Sequence, residues 1–154
     1  MKATKIGIPT ECLVNRYLPA DYMDAFVCET GKDFSLTPDD LSKKFWADFP
    51  VWVKTLFNIR NFLVRFVGLK GGSQTDIDEF TKTVVKSGNE TVLLLSDKHL
   101  DAYLSIYIEE LSDRKKVYAI TLIRYKMTLG RIYFLFIRPF HGLIVRSSLK
   151  RALR

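Results

Sequence analysis

His141 is the residue of this sequence best suited to general acid or base chemistry, because histidine titrates near neutral pH. The other histidine, His99, lies in the stretch SDKHLDAY, which predicts an exposed turn. No carboxylate or nucleophile stands at a spacing that would orient the His141 ring, and residues 114–154 hold no acid. An acidic partner must therefore come through the fold, and the candidates are Asp24, Glu29, Glu109 and Glu110.

A structural role for His141 is the alternative, and the sequence favours it over catalysis. Pro139 removes a helical amide and clashes with the preceding turn, so it predicts a kinked or divided helix. A histidine beside such a kink can hydrogen-bond to the backbone. His141 is therefore the one catalytic candidate, and the balance is against an enzyme.

Other side chains could line a cavity for a small molecule. Tyr103 and Tyr107 share one face of an alternating strand and offer hydroxyl groups beside an apolar surface. Arg124 ends the face of the next strand, and it could receive a carboxylate or phosphate if that face points inward. If that face points outward, Arg124 is a surface residue. The candidate ligand-binding residues are Tyr103, Tyr107, Arg124, Arg138, Phe140 and His141.

Disulfide and metal chemistry find little support in the sequence. The two cysteines, Cys12 and Cys28, belong to no CxxC pair and show no spacing typical of metal ligands. We predict that both are free thiols in a reducing compartment. The two histidines are separated by a pair of predicted strands, with no cysteine near either. We therefore expect no metal site and no cofactor.

The basic residues are concentrated toward the C-terminus. Residues 114–154 hold 11 Lys or Arg and no acid, whereas residues 1–113 hold 13 basic and 17 acidic residues. The simplest interpretation is a solvated face. The alternative is attraction to an anionic membrane through Arg146, Lys150, Arg151 and Arg154, with partial insertion of Val145, Leu149 and Leu153. No nucleic-acid-binding module is recognisable, so no nucleic acid is expected as a partner.

Hydrophobic periodicity predicts an order of elements that must position these residues. A helix over 38–48 follows from Thr37 as N-cap, Pro38 and two aspartates, and a second over 50–68 from an apolar stripe. Alternating or apolar runs predict strands. These strands cover residues 22–29, 80–87, 90–97, 101–111 and 117–127. Helical periodicity returns from Leu129.

The final helix is apolar on nearly all sides, which indicates that other elements wrap it. Short connections between strands favour an antiparallel sheet. We therefore predict an α+β fold in which a curved antiparallel sheet wraps the long C-terminal helix, with two shorter helices after the first strand. The chain forms a single domain over 1–154, with an irregular segment at 1–20 and the folded domain at 21–152.

Three stretches of the sequence carry a family resemblance. They are DAF at 24–26, WVKTLFNIRNFLVRFVGLK at 52–70 and LGRIYFLFIRPFHGLIV at 129–145. With the intervening strands, the chain resembles a small, uncharacterised bacterial family of helix-grip type, within the START and Bet v 1-like (SRPBCC) proteins. Such domains also occur behind NAD(P)-binding, epimerase-like domains. The resemblance implies the fold and the kind of pocket and no catalysis. Gly142 departs from it, since a larger, often basic residue is expected there.

The resulting hypothesis is a protein that binds a hydrophobic or amphipathic small molecule between the sheet and the C-terminal helix. It rests on fold-level analogy. The alternatives are an enzyme of the same fold acting on a bound hydrophobic substrate, and a basic protein that docks on a membrane surface or a partner. The N-terminus lacks the apolar core of a signal peptide, and the longest apolar run is Ile132–Ile137. We expect a cytoplasmic protein, or one peripheral to a membrane.

Overall fold

The computed structural model describes residues 1–47, 81–96 and 100–154. The predicted helix at 50–68 and the turn that holds His99 lie outside these residues. Two α-helices and one short 3-10 helix, Leu13–Tyr17, are described. The strands are β1 (Thr4–Ile6), β2 (Tyr22–Gly31), β3 (Thr81–Lys86), β4 (Glu90–Ser96), β5 (Leu100–Glu110) and β6 (Arg114–Tyr125), and the helices are α1 (Pro38–Ala47) and α2 (Thr128–Ala152).

The strands form one antiparallel sheet in the order β1-β2-β6-β5-β4-β3. The last four strands follow one another as hairpins, as their short connections predict. β2 lies against β6, with Asp24 opposite Thr121 and Phe26 opposite Ala119. The prediction of an α+β fold with an antiparallel sheet and a C-terminal helix is therefore confirmed.

The start of α1 shows why local sequence is informative here. The Thr37 hydroxyl accepts a hydrogen bond from the Asp40 amide at 3.1 Å, and the Asp40 carboxylate accepts one from the Thr37 amide at 3.2 Å. This reciprocal capping satisfies amides that have no partner within the helix. Hydrogen bonds from Thr37 also lower the pKa of Asp40. The predicted helix start at Pro38 is confirmed.

The two sides of the sheet are covered by different parts of the chain. Alternate residues of a strand point to opposite faces. One face, here called the helix face, packs its apolar residues against α1 and α2. Its buried contacts include Phe26, Leu104, Ile106, Val117, Leu41, Val145 and Leu149. The other face, here called the N-terminal face, packs Val92, Tyr103, Tyr107, Ile120 and Leu122 against Cys12 and Val14.

The N-terminal segment is more regular than its sequence predicts. Residues 1–20, predicted to be irregular, include β1, which extends the sheet beside β2, and the 3-10 helix. The carboxylate of Glu90 accepts hydrogen bonds from the Leu13 and Val14 amides at 2.5 and 3.1 Å. Glu90 lies 76 residues beyond Val14 in the chain, so local patterning could not indicate this contact.

The prediction that α2 is wrapped on nearly all sides is wrong for its outer side. Phe134, Val145, Leu149 and Leu153 are buried, but Leu135 and Phe136 are each 64% exposed. Phe140 is 43% exposed and Leu143 is 56% exposed, although a helix wrapped on nearly all sides would bury both. Within the described residues, α2 packs only one of its sides against the sheet. The apolar pattern of the helix sequence does not show which of its sides is covered.

Pro139 does not divide the C-terminal helix. α2 runs without a break from Thr128 to Ala152 with Pro139 inside it. Pro139 has no amide to donate to the Leu135 carbonyl, yet the helix continues past it. Among the described residues, no helix combines the length and apolar character needed to cross a bilayer.

The two cysteines lie on opposite sides of the sheet. Cys12 is buried on the N-terminal face, and Cys28 is buried on the helix face. Both are free thiols, so the prediction that they do not pair is confirmed. Burial, with the nearby carboxylates of Glu90 and Glu11, raises the pKa of Cys12 to about 12. The buried Cys12 thiol is therefore poorly suited to nucleophilic chemistry.

Candidate functional site

The site is built where the start of β2 meets the middle of α2. Tyr22 and Asp24 are two residues apart on β2, so both side chains reach the helix face. Phe134 and His141 are seven residues apart on α2, which places them on one side of the helix. The crossing of α2 over the sheet brings these two pairs together.

Asp24 is the acidic partner of His141. The His141 Nε2 atom lies 3.2 Å from Asp24 Oδ2, and the two side chains are 16% and 0% exposed, respectively. The two atoms are close, but they do not form a hydrogen bond. Asp24 Oδ1 and the hydroxyl of Thr121, which is opposite Asp24 in the sheet, are buried without a hydrogen-bond partner. Orphan polar atoms are uncommon in a protein core, so these two need a partner that the protein's described side chains do not supply.

Tyr22 completes a small polar cluster with aromatic walls. Its hydroxyl donates a hydrogen bond to Asp24 Oδ2 at 2.7 Å. Burial and this hydrogen bond to Asp24 raise the pKa of Tyr22, so the phenol stays protonated and acts as a donor. The Phe134 ring centroid lies 4.8 Å from that of Tyr22 and 5.8 Å from that of His141. The Tyr22–Asp24–His141 cluster is therefore shielded from water on one side.

A groove of about 510 Å³ opens beside this cluster, between α2 and the β1–β2 edge of the sheet. It is an open surface groove and not an enclosed cavity. Aromatic and aliphatic side chains form much of the wall, and Tyr22 belongs to both the groove and the polar cluster. The groove is lined by Lys5, Tyr22, Phe26, Leu135, Arg138, Pro139, Gly142, Leu143 and Arg146.

Three cations border the groove. The Arg138 guanidinium lies 5.2 Å from the centroid of the Tyr22 ring, and that of Arg146 lies 5.1 Å from the Phe26 ring. These cation–π contacts hold the two guanidinium groups over the wall. Lys5 adds a third positive charge from β1, and no carboxylate is among the described residues that line the groove. The groove can therefore receive the anionic end of an amphipathic molecule.

Gly142 keeps the groove open at the point where α2 approaches β2. A Cβ atom at this position would lie 3.5 Å from the Phe26 ring, in ordinary van der Waals contact. A longer side chain would extend from there into the groove. The residue that departs from the family resemblance therefore contributes space rather than a charge.

The sheet separates the predicted site residues into two groups. Tyr103 and Tyr107 lie on the N-terminal face, away from α2. Tyr103 stacks on Tyr17 with ring centroids 4.4 Å apart, and the Tyr107 hydroxyl donates to Glu11 at 3.4 Å. Arg124 Nε donates to the Pro19 carbonyl at 2.9 Å. The sequence did not determine which way the Arg124 face of β6 points, and in the structure this face meets the N-terminal segment. These three residues do not share a pocket with His141.

The other predicted residues lie at or near the groove. Arg138 lines it, His141 contacts Asp24, and Phe140 is exposed outside it. Sequence reasoning missed Tyr22, although its alternation with Asp24 on β2 was readable. It also missed Lys5, which lies at the groove only because β1 pairs with β2.

The arrangement offers anion recognition and proton transfer. Within residues 1–47, 81–96 and 100–154, no group of three or more His, Cys, Asp or Glu side chains could hold a metal ion. A guanidinium can bind a carboxylate or phosphate, and a histidine beside a carboxylate can act as a general base.

Comparison with known proteins places the chain in a family without an assigned activity. A family model described as "Protein of unknown function (DUF2867)" matches residues 17–148, so the chain belongs to that family. No curated protein and no solved structure shows a significant match.

Proposed function

Starting from membership of a family of unknown function, we propose that this protein binds an amphipathic anion in the groove between α2 and the β1–β2 edge. The observation that carries the proposal is the pairing of an apolar wall with three cations, Lys5, Arg138 and Arg146. Leu135 and Leu143 would contact an alkyl or aromatic body, and the guanidinium groups would bind its carboxylate or phosphate.

We further propose that the fold is of the helix-grip type. A six-stranded antiparallel sheet with a long C-terminal helix across one face is compatible with that architecture. Proteins of this type use the space between sheet and helix as a binding site, as the family resemblance implies. The groove described here lies at one edge of that space.

Replacing both groove arginines tests the binding proposal. We expect the Arg138→Gln/Arg146→Gln variant to bind dodecanoate about tenfold more weakly than the wild type, because two charge-assisted contacts are lost. Displacement of a fluorescent amphipath by dodecanoate measures the affinity. Dodecanol, which has the same chain and no charge, should displace the probe equally from both proteins.

The matched control is Arg131→Gln, which removes an arginine from the same helix. Arg131 stacks on Tyr125 at 5.5 Å and does not line the groove. Its affinity for dodecanoate should equal that of the wild type. Equal losses in the control and in the double variant would contradict the groove and indicate a diffuse charge effect.

A second candidate is an enzyme that acts on the molecule held in the groove. The observation in its favour is the buried Asp24 carboxylate 3.2 Å from His141. In this proposal His141 is the general base and Asp24 is a positioning residue that holds its ring. Tyr22 lines the groove, and its protonated hydroxyl, which donates to Asp24, would turn to donate to the substrate.

Substitution of His141 distinguishes the enzyme from the binding protein. If a screen of amphipathic esters finds turnover, His141→Gln should lower kcat by roughly 10²–10⁴-fold and leave dodecanoate binding intact. Asp24→Asn should lower kcat less, since it disturbs the orientation of the histidine. Turnover that survives in His141→Gln would exclude His141 as the general base. Dodecanoate binding without any turnover would support a binding protein and not an enzyme.

A further inference from the structure

The outer side of α2 is an apolar surface that the described parts of the chain do not cover. Its side chains recur at positions 132, 136, 140 and 143, which is the spacing of one helix face, with Leu135 beside them. Each is 43–64% exposed. We call this surface the outer stripe; it consists of Ile132, Leu135, Phe136, Phe140 and Leu143.

Arginines flank the outer stripe along its length. Arg131, Arg138 and Arg146 lie over the rings of Tyr125, Tyr22 and Phe26, with distances of 5.1–5.5 Å to the ring centroids. These contacts place the guanidinium groups at the border between α2 and the sheet. α2 itself contains no acidic residue. The stripe is therefore an apolar band with positive charge beside it.

We propose that the outer stripe docks on the surface of an anionic lipid bilayer. A helix that lies in a membrane interface buries its apolar face at the acyl boundary and directs basic residues to the headgroups. Phe136, Phe140 and Leu143 have the position and exposure to enter this boundary. Arg131, Arg138 and Arg146 are long enough to reach phosphate groups while their stems remain on the apolar surface.

Charge complementarity selects the bilayer over a second copy of this chain. In a two-fold dimer built on the stripe, the same patch of each copy would face the other. The arginines of the two α2 helices would then meet with no acid on either helix to neutralise them, and like charges across an interface oppose association. An anionic bilayer accepts both the apolar residues and the cations.

This surface differs from the membrane contact that the sequence indicates. Val145, Leu149 and Leu153, the residues expected to insert beside the basic tail, are buried in the core. Lys150 and Arg151 are half-buried. The exposed apolar residues of α2 lie at 132–143, so the proposal places the membrane contact there and not at the tail.

Vesicle flotation tests the proposal with the full chain. We expect recovery with vesicles of phosphatidylcholine and phosphatidylglycerol in equal amounts, and little with phosphatidylcholine alone. Recovery should fall steeply between 0.1 M and 1 M salt, because the Debye length shortens from about 10 Å to about 3 Å. Inorganic phosphate at matched ionic strength should compete no better than chloride, because the stripe needs the apolar layer as well as the charge.

Two exposed phenylalanines outside the groove allow a specific variant. Phe136→Gln/Phe140→Gln should partition about tenfold more weakly onto the anionic vesicles, since two apolar anchors are lost. The control is Met23→Gln, which removes an exposed apolar side chain from β2 and should partition like the wild type. Circular dichroism checks that both variants are folded.

Three outcomes would overturn the proposal. One is equal recovery with neutral and anionic vesicles, which needs only the wild type and does not depend on the folding of a variant. Another is wild-type partitioning of Phe136→Gln/Phe140→Gln. The third is a wild-type dimer that never floats and that this variant converts to a monomer, since the stripe would then bind a second copy. Dodecanoate binding to Phe136→Gln/Phe140→Gln reports on the groove separately, because neither phenylalanine lines it.

Discussion

Glu90→Gln is expected to lower the free energy of unfolding by about 2–4 kcal/mol, because it disrupts charge-assisted hydrogen bonds in a buried place. Glu90 is 1% exposed. Its carboxylate accepts hydrogen bonds from the Leu13 amide at 2.5 Å, the Val14 amide at 3.1 Å and the Ser105 hydroxyl at 2.7 Å. Glutamine keeps the shape but replaces one acceptor oxygen with a donor, which then faces another donor.

Urea unfolding followed by circular dichroism measures this loss, and Glu110→Gln is the matched control. Glu110 pairs with Lys115 at 3.1 Å and its side chain is 72% exposed. Exposed pairs contribute about 0–1 kcal/mol, so this variant should remain close to the wild type. Equal stability of the two variants would mean that Glu90 does not hold the N-terminal segment on the sheet. Faster proteolysis within residues 1–20 of Glu90→Gln would show that this segment is released first.

Leu149→Ala is expected to cost about 2–5 kcal/mol, and Phe140→Ala less than about 1 kcal/mol. Leu149 is 1% exposed and packs in the core between α2 and the sheet, so its truncation leaves a cavity. Phe140 is the larger side chain, but it is 43% exposed and leaves no enclosed void. Burial therefore reverses the order that side-chain size would predict.

The same unfolding experiment compares the two variants directly. The apolar pattern of α2 predicts a loss of about 3–5 kcal/mol for Phe140→Ala if that ring is fully buried. A loss of this size would show that the outer stripe is covered in solution, and it would remove the surface from which membrane docking is inferred. A loss confined to Leu149→Ala would support an exposed stripe.

Local sequence determined the described helices and the strands β2 to β6, but not β1 or the 3-10 helix of the N-terminal segment. Thr37 and Asp40 cap α1 through contacts three residues apart, and Gly88 and Asn89 form the turn between β3 and β4, where the Ser87 amide donates to the Glu90 carbonyl at 2.8 Å. The alternation of β5 and the helical period of α2 are also local. Such patterns are readable because capping, turns and periodicity depend on neighbours in the chain.

The positions of the site residues were decided by tertiary structure. Periodicity correctly groups Tyr103 with Tyr107, but it does not say whether their face meets α2 or the N-terminal segment. Asp24 was one of four possible acids for His141, and only the crossing of α2 over β2 selects it. Pairing between distant segments depends on long-range packing, which one sequence does not encode in its spacing.

In α2, too, the sequence and the tertiary structure each determined a different property of the apolar residues. The sequence by itself determined that residues 128–152 form a helix with apolar residues on several sides. Only the tertiary structure decided that Leu149 is in the core while Phe136 is exposed on the outer stripe. The physical reason is that hydrophobicity favours burial of every apolar side chain, whereas the sheet can cover only the side of the helix that it touches.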